Sequence, residues 1–449
     1  MRGDFSRLVL DPDHYGGVLM QQGRVLLDSD WNTSQAILIA AQRALAKDLI
    51  GPHGGPADAD FDGFSITDAP DGGEGPDLTI GPGIYYVDGI RIENSPDPAP
   101  GNGALWSAQP FPPFTERQAL PEPPYLVYLD VWERHVTALE DDTLREVALG
   151  GPDTTSRTQV VWQVRIDPYS EEAHCHNFPL QDWRDTLAGN PPRMRARTGT
   201  PPDNDDPCLA APHARYRGVE NQLYRVEIAD VSPGGASFVW SRENGSVSAA
   251  WTGTEDNDLH VTGVRDTVHG FAPGDWVELT WNRLEVAGQP GTRARISATD
   301  GLVVTIDPTT ASGDIESDPS SKPGAKVRRW DHRQRKEMPL IHGAIPITES
   351  NDPTAGWMQL EDGIEVQFAP PADGAAAHTY RVGDYWTIPA RVATGDIIWP
   401  KADGTPVPKA PVGVVHHYAP LAWREVPGAA PVDLRRKFGP LAACRVVGA

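Results

Sequence analysis

The chain has 449 residues, 44 of them Gly and 44 Pro, with a hydrophobic share of 39% and a formal net charge of -23. That length exceeds what one core reaches, so several domains are expected, and the Gly and Pro content favours short strands joined by many turns. The acidic balance argues against nucleic acid or anionic membrane as a partner, because binding to phosphate comes largely from Lys and Arg displacing counterions.

At the N-terminal end no apolar run has signal-peptide length, and the densest one, residues 36–41, is far too short to span a bilayer. Cytoplasmic synthesis without an export signal is therefore expected. Residues 1–27 carry Asp11-Pro12, Gly16-Gly17 and Gly23, which punctuate extended chain with bends. They read as an arm with little core of its own, lying on the rest of the chain or on a neighbouring subunit.

Asp28-Ser29-Asp30-Trp31 offers N-cap candidates and acidic residues for the positive end of a helix dipole, and Gly51-Pro52 offers a stop. One helix of about six turns is predicted between them. Trp31, Leu38, Ala41, Leu45 and Leu49 recur at threes, fours and sevens and make one apolar stripe. Ser34, Asp48 and the small Ala41 weaken a heptad seam, so two readings stand: a helix packed on its own β-domain, or a seam shared between chains as in a trimeric stalk. Residues 1–56 form the expected attachment module, with Phe5, Tyr15, Leu19, Met20, Gln22, Gly23, Trp31, Leu38 and Leu45 as its assembly interface.

Further along, helical period gives way to alternation, and the fold class expected is mainly β, with several small antiparallel domains of sandwich or barrel type. Consecutive units are expected at 57–170, 171–250, 251–324 and 325–449. Asp88-Gly89 between Ile84-Tyr85-Tyr86-Val87 and Ile90-Arg91-Ile92 is a strong hairpin signal. Ser232-Pro233-Gly234-Gly235 predicts a second hairpin. After Trp251, three to four short strands around residues 274–306 suggest a small barrel, followed by a polar linker at 309–323. Gly383-Asp384-Tyr385-Trp386 repeats the earlier Gly274-Asp275-Trp276, through duplication or through one turn chemistry used twice.

Chemistry-bearing clusters are sparse. Asp58, Asp60, Asp62 and Gly63 match the first half of a calcium loop, but Ala69 stands where a bidentate glutamate belongs, so a solvated acidic loop is preferred. His174, Cys175 and His176, with Cys208 and His213, are zinc-ligand types without a Cys-x-x-Cys pair, and buried cysteines with polar loop histidines are preferred. Three cysteines, Cys175, Cys208 and Cys444, are too few for a disulfide framework. No nucleophile elbow, zinc-protease or phosphate-loop motif is found, and neither an enzyme activity nor a cofactor is expected. Trp251, Trp281, Trp330, Trp357 and Trp423 suit either small β-domain cores or an exposed face for a glycan or receptor.

Longer words add a resemblance. Residues 1–7, Tyr15, 18–25, 27–32 and 48–56, then 148–154, 216–228 and 240–246, resemble the signature of a bacterial family encoded in clusters for phage-tail-like contractile injection systems. Tyr216, Glu220, Asn221, Tyr224, Trp240, Arg242 and Asn244 carry its central motif. The resemblance implies a β-rich structural subunit at or near a baseplate, seated by arm and helix among baseplate, spike or sheath-end proteins. A homo-trimer and a particle that can be released from the cell are implied with it. The alternative is a tail-fibre module that binds a target-surface receptor or glycan through its distal tryptophans.

Overall fold

A computed structural model describes residues 1–7, 14–57, 63–69, 75–95, 103–199, 215–264, 270–334 and 338–439. Asp58, Asp60, Asp62, Cys208, His213 and Cys444 therefore lie outside the described residues. The protein is mainly β, with one long helix near its start and several small antiparallel sheets.

That helix, Asp28–Ile50, is called α1. Its N-cap is Leu27 with no side-chain cap bond, not one of the acidic or serine candidates. The reason is local: the Asp28 carboxylate accepts instead from Ser6 N (3.1 Å) and Ser6 Oγ (2.7 Å). Asp28 and Asp30 still lie in the first turn, where the helix dipole favours them. Gly51, at φ 95, ends the helix and donates its N–H to Lys47 O. α1 rests on the hairpin formed by Gly83–Val87 and Ile90–Asn94, whose turn residues Asp88 and Gly89 both have positive φ. A Cβ at Gly89 would stand 2.2 Å from Arg43 O, so this glycine serves the turn and the close approach of the helix together. Lys47 pairs with Asp88 at the hairpin turn and Arg43 with Glu133 of the strand Tyr125–Val136, fastening α1 to two sheets.

Three large apolar cores follow. The first gathers Phe64, Tyr85, Leu129 and Trp162 with Ala419, Leu421 and Ala422 from far along the chain. Its long strands Tyr125–Val136 and Arg157–Asp167 pair with each other, and His417–Arg424 pairs with the former. The second core gathers Tyr224, Trp240, Phe368 and Trp386. There Gln222–Ser232 lies between Gly235–Ser241 and Tyr385–Arg391, while Arg193–Thr198 pairs with Ile364–Ala369. The third is a closed six-stranded barrel from Ser248–Glu255 to Lys326–Trp330.

The cores are nested, not consecutive. The barrel is inserted between strands of the second body, and the second body between strands of the first. Strand pairs such as Leu126 with Trp423 and Ala196 with Val366 cross the boundaries expected at 170, 250 and 324. Hydrophobic patterning locates strands but carries no record of which distant strand completes a sheet, so a serial division was the reading available. The polar stretch after residue 307 crosses the barrel in short 3₁₀ turns and returns to it, so it is not a linker between units. The two Gly-Asp words occupy different sheets yet share one pairing. Gly274 and Gly383 donate to Ile296 O and Ile228 O, and the same isoleucines donate back to Asp275 O and Asp384 O. No helix among the described residues is long and apolar enough to cross a membrane.

Candidate functional site

Where the three bodies meet they leave a cleft of about 990 Å³, and residues 1–5 lie along its wall. Arg2 is the centre. Its Nε and one terminal nitrogen reach both carboxylate oxygens of Glu227, and the other terminal nitrogen donates to Glu285 Oε1 at 2.8 Å. A forked donor on a carboxylate is the strongest geometry a charged pair adopts. Glu227 belongs to the second body and Glu285 to the short helix Asn282–Val286 of the barrel.

Those carboxylates hold further cations. Arg225 pairs with Glu227, and Lys326 and Arg328 donate to Glu285 at 2.8 and 3.0 Å. Lys326 also pairs with Glu140 of the first body, and Arg328 with Glu278 at 3.2 Å. One network thus ties the N-terminal segment to all three bodies. Burial raises the Glu227 carboxyl, but Arg2 and Arg225 outweigh it and hold its pKa at about 2. Glu285 is likewise held well below the carboxylate range against burial, by Lys326, Arg328 and Arg2.

Backbone and ring contacts complete the seat. Arg225 donates to Met1 O at 3.0 Å, and Asn244 Nδ2 donates to Met1 O and Gly3 O at 3.3 and 3.0 Å. Asn244, at φ 53, is buried and accepts from Arg225 through its Oδ1. The Arg225 guanidinium lies 3.5 Å from the Tyr385 ring centre, and the Tyr385 hydroxyl accepts from the Met1 nitrogen at 2.6 Å. Phe5 packs edge-on to His135, and Arg391 donates to Ser6 O at 2.7 Å. Phe5 is thus housed in its own chain. Sequence reading placed Asn244 in a motif without a task, and missed Glu227, Glu285 and His135, because a lone titratable residue in a strand or a short helix gives no pairing signal.

The other expected interface residues point outward. Tyr15, Leu19, Met20, Gln22 and Gly23 are exposed, Leu19 at 91%. On α1 the packed face carries Ser29 and Ile37, whereas Trp31, Leu38, Leu45 and Leu49 are 71%, 60%, 61% and 57% exposed. The apolar stripe faces away from the body on which the helix rests.

Elsewhere in the central motif, Tyr216 donates to Glu220 O at 2.9 Å and meets Tyr224 edge-on, while Trp240 lies tilted over Tyr224. Tyr224 and Arg242 donate to the two oxygens of Glu361 at 3.0 and 2.8 Å. Asn221 accepts from Val392 N at 3.0 Å. These residues hold the second body together, and among the seven it is Asn244 that bonds to the N-terminal segment.

All fourteen tryptophans lie among the described residues: eleven are buried, Trp281 and Trp357 are half-buried, and Trp31 is exposed. Trp251, Trp330 and Trp423 are enclosed, and Arg197 covers the Trp357 ring at 3.9 Å. His174 stacks on His176, and Cys175 Sγ faces Arg435 O at 3.6 Å. Among the described residues no three His, Cys, Asp or Glu side chains come together as metal ligands.

A model of a family of unknown function, DUF6519, matches residues 1–189 and 180–432. No curated protein and no solved structure matches the chain.

Proposed function

The chain belongs to the DUF6519 family, a family of unknown function, and from the surface it presents we propose that it is a structural assembly subunit rather than an enzyme. The observation that carries this reading is the outward apolar face of α1, Trp31, Leu38, Leu45 and Leu49, on a helix already packed along its opposite side. An exposed apolar stripe of that kind marks an interaction site, and an exposed Trp at its end is the residue type that most often anchors one. Leu19, Met20, Val25, Leu26 and Leu27 add exposed apolar side chains just before the helix.

In the setting that the sequence resemblance implies, the partners are further copies of this chain, as a trimer, and the baseplate, spike or sheath-end proteins of a phage-tail-like contractile particle. The test is co-sedimentation with sheathed particles from native lysate, for the wild type and for Trp31→Ser/Leu38→Gln/Leu45→Gln. The wild type should travel with the particles and the triple variant should stay in the supernatant. A wild-type chain found only free, beside intact particles, would overturn the reading.

A further inference from the structure

The seat of residues 1–6 is built like a receptor for a peptide. Apart from Asp28, the groups that grip the segment come from between His135 and Arg391, with none supplied by its own chain neighbours. Recognition is divided by chemistry. Glu227 and Glu285 read the guanidinium of Arg2, Asn244 reads two backbone carbonyls, and His135 meets the ring of Phe5.

The site also stays paired without its occupant. Glu227 keeps Arg225, and Glu285 keeps Lys326 and Arg328, so loss of Arg2 leaves neither carboxylate buried and alone. Arg225 is itself supported by the Tyr385 ring. A preformed site of this kind binds without first being assembled.

Ser6 and Asp28 touch, so the segment's end and the start of α1 are held at one point. The tether gives the chain's own segment an effective concentration on the order of millimolar. Copies held side by side offer a neighbour's segment at a comparable concentration.

We propose that the cleft is a peptide-binding socket for an extended, arginine-bearing segment, and that it takes this segment from a second copy of the chain as well as from its own. The socket and the exchange both stand apart from the assembly proposed for α1, which would only raise the local concentration of a neighbour's segment.

The test has two arms. In the first, the synthetic heptapeptide of residues 1–7, with a dye at its C-terminal end, is titrated by fluorescence anisotropy with the full chain carrying Arg2→Glu. Glu227 and Glu285 repel that chain's own segment, so its socket should be open. Saturable binding is expected, weakened about tenfold or more when the peptide carries Glu in place of Arg, or when the wild-type chain is the acceptor. A folded Arg2→Glu chain that binds neither peptide, or both equally, overturns the proposal. If Arg2→Glu prevents folding, a full chain with Arg2→Gln and Phe5→Ala takes its place under the same outcomes.

In the second arm an Asn244→Ala chain donates its segment to the Arg2→Glu chain. Both also carry Trp31→Ser/Leu38→Gln/Leu45→Gln, so that the face of α1 contributes nothing. A one-to-one complex is expected by sedimentation at about 0.1 mM, with each chain monomeric alone. Peptide binding without that complex confines the socket to its own segment and overturns the exchange while leaving the reading of α1 untouched.

Discussion

Arg2 bridges two carboxylates that already hold other cations, so replacing it removes charged hydrogen bonds without stranding an ion. Arg2→Gln should therefore cost about 1.5–3 kcal/mol, the range for hydrogen bonds to charged groups, seen as a lower urea midpoint at unchanged slope. Acid should act on the same network. Glu227 has its folded-state pKa lowered from 4.5 to about 2, so its contribution is present above the unfolded value and is lost as pH falls from about 4.5 through 2. Urea midpoints in that window should fall more steeply for the wild type than for Glu227→Gln. Asp384 runs the other way. Burial raises its pKa to about 6, so the folded state favours its protonated form, and stability is lost as pH rises from 3.8 through 6. Asp384→Asn should match the wild type near pH 3.5 and exceed it at pH 8. A constant difference between the two across that range would rule the assignment out.

At the scale of one element, α1 shows why period and orientation are separate questions. The spacing of Trp31, Leu38, Leu45 and Leu49 shows that an apolar stripe exists, but the same stripe serves a helix that faces its own core and one that faces a partner. The decision came from the other side, where Ser29 and Ile37 fit against the body and Arg43 and Lys47 reach acidic residues on it. Two substitutions should separate the faces. Ile37→Ala should destabilise the chain by about 2 kcal/mol through a lost buried contact, measured by urea unfolding. Trp31→Ser/Leu38→Gln/Leu45→Gln should leave the monomer within about 0.5 kcal/mol while abolishing self-association in light scattering. The strand Lys326–Trp330 teaches a related lesson. Its Lys and Arg residues are buried, because Glu140, Glu278, Glu285 and Glu243 await them on neighbouring elements. No hydrophobic pattern within those five residues announces a buried strand.

For the whole molecule, the nesting of the bodies makes the chain's two ends depend on each other. The first core draws on Ala419, Leu421 and Ala422, and His417–Arg424 is a full neighbour of Tyr125–Val136. A chain ended at residue 410 should therefore lose the first body, with aggregation and loss of its near-ultraviolet signal, although more than two hundred residues separate the cut from residues 57–170. Serial units would leave that body intact, so a folded truncated chain would contradict the nested architecture. The ionic network at the cleft lies where the three bodies meet, and Lys326 joins two of them through Glu140 and Glu285.

The sequence by itself determined the elements whose causes are local. It fixed the mainly β character through alternation, the helix through its period and its glycine stop, and the Asp88-Gly89 hairpin through turn chemistry. Tertiary structure decided what depends on distant partners. It closed the barrel and nested the bodies, enclosed most of the tryptophans, turned the helix stripe outward, and seated Arg2 between Glu227 and Glu285. The physical reason is that backbone preference acts over a few residues, whereas pairing, burial and charge neutralisation act between surfaces that meet only when the chain has folded.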